Sequence, residues 1–242
     1  MVEPLFHKEN LVAVVGSTIE LDGPEGKHAV QVRRMRAGEA IQLSDGQGLR
    51  ARGSIVEVAG SSLRLMVDEV AIEELPQRQI TLVQALAKGD RDELAIQAAT
   101  ELGVTAVIPW QAVRSISRWD GPKQAKGQAR WQQIVSEAAK QSLRAFTPVV
   151  SGIVDTNGLG FLVKDFDLVL VLDTTASEQL SKLSIPKVGK LAIVVGPEGG
   201  IDEGELDMLK NSGAKLVSLG ANVLRTSTAG PALIAALILG NV

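Results

Sequence analysis

The chain contains no cysteine, which excludes disulfides, thiolate metal sites and cysteine nucleophiles. Only two histidines occur, His7 and His28; both fall near the N-terminus and read as surface or packing residues. No apolar run is unbroken enough to span a bilayer, and MVEPLFHKEN lacks the layout of a secretory signal. A cytoplasmic location, away from membranes, is the expectation. There is no G-x-x-x-x-G-K-[ST] loop and no G-x-G-x-x-G turn leading from a strand into a helix. A Walker-type nucleotide site is therefore excluded, and a dehydrogenase is a weak reading. Internal repeats, low-complexity tracts and heptad arrays are absent as well, and no metal site is expected.

The 242 residues are 45% hydrophobic and 22% charged, enough to bury the core of one large or two modest domains. A net charge of −3 argues against general polyanion binding. The charge is unevenly spread, however. Ten Lys or Arg face six Asp or Glu between Pro76 and Pro148, and VRRMR groups Arg33, Arg34 and Arg36. Such clusters point to phosphate contacts or to a solvated face.

Up to about residue 74 the chain reads as short strands with turn punctuation: LVAVVG, TIELDG, EAIQLSDGQG, RARGSIVEVAG and SLRLMVDEVAI. One piece, GKHAVQVRRMRAGE, has helical spacing. Short strands at this density predict a small β-barrel. The polar EELPQRQ around Pro76 is a linker. From Ile80 onward strands alternate with helices: ITLVQAL, RDELAIQAATEL, VTAVIPW, ARWQQIVSEAAKQSL, TPVV, DLVLVLD, LAIVVG, KLVSLG and STAGPALIAALILG. Near-continuous apolar strands between helices predict a parallel sheet covered on both faces, an α/β architecture. The expected domains are 1–74 and 75–242.

The segment GPEG occurs twice, at Gly23 and Gly196. The first copy follows a half-exposed strand. The second follows an unbroken apolar strand and precedes a helix start, with Asp202 as N-cap and Glu205 placed for a capping box. That position, the carboxyl end of a parallel strand, is where open α/β sheets bind ligands. A second loop, SLGANVLRTSTAG, ends the next strand. Two adjacent loops with few bulky side chains leave room for a flat ligand held by main-chain groups.

VVGPEGG followed by SLGANVLRTSTA resembles the C-terminal signature of SPOUT methyltransferases, and more narrowly the RsmE family, which methylates N3 of a uridine in small-subunit ribosomal RNA. QALAKGDRDELAIQAATELGV, the RS of AVRSISRW, and RWQQIVSEAAKQSLR extend the likeness; HAVQVRRMRAGE and LSDGQG resemble that family's PUA-like barrel. The resemblance implies an S-adenosyl-L-methionine-dependent enzyme with a C-terminal trefoil knot, working as a homodimer on ribosomal RNA or the small ribosomal subunit. It places Gly196, Gly199, Gly200, Leu219, Gly220, Val223, Leu224 and Thr226 around the cofactor, and Arg225 toward the substrate. Ser227 stands where the family commonly has Glu, and Ile201 where Phe is frequent.

Uridine N3 must lose a proton before or during attack, which leaves negative charge on O2 and O4. Arg225 is the residue expected to stabilise that charge, or else to clamp a phosphate. Glu198 is the nominal proton acceptor, or else a carboxylate favoured by the helix dipole. N3 lies on the pairing edge, so the target must be unpaired or turned out. Arg33, Arg34 and Arg36, together with Arg114, Arg118 and Arg144, are expected to grip RNA. Trp110, Trp119 and Trp131 are candidates to stack bases, Trp131 being better placed for a core. Alternatives are another SPOUT enzyme acting on transfer RNA or a ribose 2′-hydroxyl, and a non-catalytic dimeric RNA-binding protein.

Overall fold

The computed structural model describes residues 2–240, apart from the side chain of Ser181. The chain forms two compact units, Met1–Leu75 with Ala139–Thr147, and Pro76–Ala138 with Pro148–Val242.

The first unit is built on strands β1 (Leu5–His7), β2 (Thr18–Leu21), β3 (Ala40–Ser44), β4 (Leu49–Ala59) and β5 (Ser62–Ile72), in the order β1-β3-β4-β5-β2. Pairing is antiparallel except between β1 and β3. Register shifts at Arg52/Gly53 and Ile55/Glu57 bend the β4–β5 pair. Among the described residues β1 and β2 are the two edges, so by its pairings the expected barrel is a bent, open sheet. Its inward side chains, including Ile41, Leu43, Leu63, Leu65 and Val67, close over Ala29.

Two segments of this unit differ from the sequence reading. Leu11–Gly16, expected as a strand, is irregular, with Leu11 buried and Val12, Val14 and Val15 exposed. It joins β5 only at its end, where the Gly16 N–H donates to Val67 O; an apolar run without alternation does not specify a strand. The first GPEG copy is the opening of helix α1 (Gly23–Lys27), which continues as a π-helical turn over His28–Val32. Pro24 suits this first turn because its missing N–H would have no helical partner there. A Cβ on Gly26 would lie 2.5 Å from Leu21 O, so the glycine permits close backbone contact. Ala139–Thr147 joins this unit through Ala145 O, which accepts from the Gly48 N–H, and Leu143 O, which accepts from Arg50 at 2.8 Å.

The second unit is a six-stranded sheet ordered β11-β9-β10-β6-β7-β8. Its strands are β6 (Arg78–Ala85), β7 (Ala106–Trp110), β8 (Val149–Val150), β9 (Leu168–Leu172), β10 (Gly189–Val195) and β11 (Lys215–Val217). Every pair is parallel. Alternate residues of β10 enter two cores. Leu191, Ile193 and Val195 meet α2 (Arg91–Glu101), α3 (Pro122–Gln141) and α6 (Thr226–Ile238), while Ala192 and Val194 meet α4 (Thr156–Leu162) and α5 (Glu203–Asn211). Burial on both faces explains why these strands are apolar at every position.

Helix α4 is an addition to the elements read from the sequence, and its segment TNGLGFL carries two glycines. Asp155 caps it by accepting from the Gly158 N–H at 2.8 Å, and a Cβ on Gly160 would sit 3.4 Å from Met208 Sδ of α5. Helix α3 begins seven residues earlier than the sequence indicated, running through Gly127. That glycine lies directly against the Trp119 ring. The tryptophans are not placed to stack bases: Trp110 and Trp131 are buried, and Trp119 packs edge-on against Trp131 with centroids 5.1 Å apart. Among the described residues no helix is long and apolar enough to cross a membrane.

Candidate functional site

The carboxyl ends of β9, β10 and β11 open onto a cavity of about 550 Å³ in the second unit. Gly196–Ile201 forms one wall, Val217–Gly220 and Asn222–Thr226 another, and Leu172–Thr174 a third. Gly196, Gly199, Gly200, Leu219, Gly220, Val223, Leu224 and Thr226, all expected at a cofactor site, line this cavity together with Glu198 and Arg225.

The β10 loop folds back as a tight turn in which the Gly200 N–H donates to Pro197 O at 2.9 Å. Gly200 takes φ +73°, a conformation that favours glycine. Gly196 has a different constraint: a Cβ there would lie 2.5 Å from Ile201 Cγ1, and Ile201 is buried. The residue that departs from the family's frequent Phe thus packs onto the first glycine of the loop. Asp202 then starts α5 with the expected capping box: its Oδ1 accepts from the Gly204 N–H, and Glu205 Oε2 accepts from the Asp202 N–H. Glu205 is 3% exposed, and its other oxygen accepts from the Val113 N–H and the Thr156 hydroxyl.

The β11 loop turns at Gly220, with φ +120°, and ends at Arg225, the exposed N-cap of α6. Thr226 is buried. Its hydroxyl donates to Gly196 O at 2.8 Å and accepts from Gln84 Nε2 at 2.9 Å. The two loops are therefore tied together behind the cavity wall. Among the described residues no hydrogen bond or ion pair engages the Arg225 guanidinium, which is left available at the cavity.

Glu198 is held differently. Its Oε1 accepts from the Lys88 N–H at 3.0 Å and from Arg91 at 2.8 Å. Burial pushes its carboxyl pKa up, but its own N–H, Arg91 and the Lys88 N–H together outweigh burial and leave it below the usual carboxylate range. A carboxylate stabilised in this way is a weak base.

The expected RNA-contacting arginines divide into two groups. Arg33, Arg34, Arg36 and Arg118 are exposed. Arg118 also donates to Val113 O at 3.4 Å, and Arg114, exposed as well, turns onto the β10 loop, donating to Gly199 O at 3.3 Å, Ile201 O at 3.4 Å and Asp202 at 3.1 Å. Arg144 is half-buried, and burial draws its guanidinium below the usual arginine value. Neither stands out as a free phosphate contact.

Sequence reasoning missed Arg91, Asp173, Thr174 and Asn222, which also line the cavity, and Gln84 behind it. Asp173 ends the apolar strand DLVLVLD, so its place at a strand's carboxyl end was open to the same reasoning used for Gly196. Its carboxylate accepts from the Thr175 N–H and hydroxyl.

Residues 73–238 match the family model for an RNA methyltransferase domain, and residues 21–65 that for an RNA methyltransferase PUA domain. The chain is 42% identical to the ribosomal RNA small subunit methyltransferase E of Mycobacterium bovis, over 95% of this chain and 88% of that one. It is 36% identical to the Bacillus subtilis protein of the same name, over 88% and 86%. A crystal structure of the Neisseria gonorrhoeae ribosomal RNA small subunit methyltransferase E bound to S-adenosyl methionine superposes with a TM-score of 0.86 at 31% identity, over 98% of this chain and 97% of that one. With a catalytic-domain match over most of its length and relatives of one name along nearly all of it, the chain belongs to the ribosomal RNA small subunit methyltransferase E family.

Proposed function

We propose that this chain transfers a methyl group from S-adenosyl-L-methionine to N3 of a uridine in small-subunit ribosomal RNA. The observation that carries this reading is the cavity walled by the β10 and β11 loops and fastened by the Thr226–Gly196 hydrogen bond. Its volume falls within the roughly 300–1,000 Å³ of small-molecule sites. Its walls fit the donor: glycine and other peptide groups for polar edges, Leu219, Leu224 and Ala229 for a flat ring, and the Asp173 and Glu198 carboxylates for a cation.

When bound, S-adenosyl-L-methionine supplies an electrophilic methyl group on a sulfonium. The protein's part is then mostly placement, which can contribute on the order of 7–11 kcal/mol when geometry is near attack. Arg225 is assigned to the substrate: its unengaged guanidinium at the cavity edge stabilises the charge that builds on O2 and O4 as N3 loses its proton. Glu198 is better suited to holding the loop than to accepting that proton, since Arg91 and the Lys88 N–H already occupy it. Solvent hydroxide or a group of the RNA takes the proton instead. The exposed Arg33, Arg34 and Arg36 of the first unit and Arg118 of the second serve as phosphate contacts.

The knot belongs to the same proposal. After β11 at the sheet edge, the chain returns so that α6 lies against β6 and β10 in the middle of the sheet, the path that a C-terminal knot requires. Residues 1–74 as an RNA-binding PUA-like domain, residues 75–242 as the methyltransferase domain, assembly as a homodimer and work in the cytoplasm complete the reading. The test is to map methylated nucleotides in ribosomal RNA from cells lacking the protein. One N3-methyluridine should vanish, return with the intact gene, and stay absent with Arg225→Ala. An unchanged methylation map defeats the proposal.

A further inference from the structure

We infer that Arg114 is a positioning residue for the methyl-donor cavity, and not a contact to RNA; the inference rests on the reading of that cavity given above. Arg114 follows β7 in the chain, yet its side chain crosses to the loop after β10. One guanidinium nitrogen meets the carbonyls of both Gly199 and Ile201, and the other meets Asp202 Oδ2. A planar fork with several donors suits three acceptors in a way that a single ammonium does not.

The neighbouring backbone is fixed in the same direction. The Val113 N–H donates at 2.9 Å to Glu205, and the Thr156 hydroxyl, itself accepting from Trp110 Nε1, donates to the same carboxylate oxygen. The segment bearing Arg114 is thus anchored to the start of α5, while the guanidinium reaches forward to the turn.

The turn needs such a restraint. Gly199 and Gly200 are adjacent, and glycine has the widest backbone freedom of any residue. The peptide between them is held at both ends, its N–H by Pro197 O and its carbonyl by Arg114. Removing the guanidinium frees one end of that peptide, leaves the Ile201 carbonyl without this partner and takes the counter-charge from Asp202. The wall of the cavity would then sample shapes that no longer match the donor. The Arg114 side chain is 44% exposed, but contact with RNA asks for unspent donors, and its terminal nitrogens are directed at the loop.

The experiment titrates full-length protein with S-adenosylhomocysteine by calorimetry, comparing wild type with Arg114→Ala and Arg114→Lys. Arg114→Ala should weaken binding by about fivefold, the scale of one partly exposed ion pair, with Arg114→Lys between it and wild type. In methyl transfer to small ribosomal subunits, Arg114→Ala should raise KM for S-adenosylmethionine and leave kcat at saturating donor within about threefold of wild type. The salt slope of RNA binding should not change, because no phosphate contact is lost.

Wild-type affinity for S-adenosylhomocysteine in Arg114→Ala, with weaker RNA binding and a shallower salt slope, overturns the inference alone. Wild-type protein that binds no S-adenosylhomocysteine overturns the inference and the cavity reading together. Should Arg114→Ala fail to fold, as judged by circular dichroism, Arg114→Lys and Asp202→Asn replace it. Weaker binding in both supports the assignment, and wild-type affinity in either overturns it.

Discussion

The hydroxyl of Thr226 donates to the carbonyl of Gly196 at 2.8 Å while accepting from Gln84 Nε2. One side chain therefore joins the loop after β10, the start of α6 and the carboxyl end of β6. Thr226→Val keeps the shape but strands the Gly196 carbonyl and leaves the Gln84 amide with the Ala85 carbonyl as its remaining acceptor. The expected result is a loss of about 1–3 kcal/mol in urea unfolding, accompanied by weaker S-adenosylhomocysteine binding. Thr226→Ser, which keeps the hydroxyl, should restore most of both.

Gly196 offers a second check. Its missing Cβ is the space filled by Ile201 Cγ1, so Gly196→Ala forces that side chain to move and should cost about 1–3 kcal/mol. Ile201→Ala in the same chain relieves the clash. A double-mutant cycle should therefore show a favourable coupling; purely additive losses would mean that the two residues do not meet.

Glu198→Gln separates loop tether from proton acceptor. A general base contributes typically 10²- to 10⁴-fold, so its removal would collapse kcat. The ion pair with Arg91, the depressed pKa and the Lys88 N–H predict something milder. We expect kcat within about threefold of wild type and a modest rise in KM for the donor, as one partly exposed ion pair is worth about 1 kcal/mol or less. Steady-state kinetics with the donor varied decides between them.

Asp92 predicts a pH dependence of stability. It is 5% exposed, and burial raises its pKa from 3.8 to about 6, despite hydrogen bonds from the Ala87 and Glu93 N–H groups. Between those two values the folded chain holds more protons at this site than the unfolded chain. Its contribution to stability is thus fully present below pH 3.8 and lost as pH rises through about 6. Chemical denaturation from pH 4 to 7 should show this falling component, and Asp92→Asn should remove it.

Much of the architecture could be read from period and punctuation. The β10 strand, its glycine turn and the Asp202 cap followed from an apolar run, two glycines and an acidic pair in fixed order. What stayed hidden had no local signature. Ala139–Thr147 joins the first unit through backbone carbonyls that any sequence carries and through an ion pair from Lys140 to Glu25, 115 residues away in the chain. Helix α4 was obscured by glycines whose purpose is close packing. Arg114 and Arg118 look alike in AVRSISRW and both are exposed; only the folded loop shows that one is spent on Gly199 and Asp202 while the other reaches no further than the Val113 carbonyl. Arginine composition measures the supply of positive charge, not its availability.

Four residues of the cavity wall, Gly196, Gly199, Gly200 and Gly220, present only peptide groups, and a peptide group cannot be exchanged by changing a codon. Point changes that tune this part of the wall must therefore act from behind, at Gln84 or Arg114, by altering how it is held. A search for variants with shifted donor preference is better aimed at that supporting layer than at the surface the ligand touches.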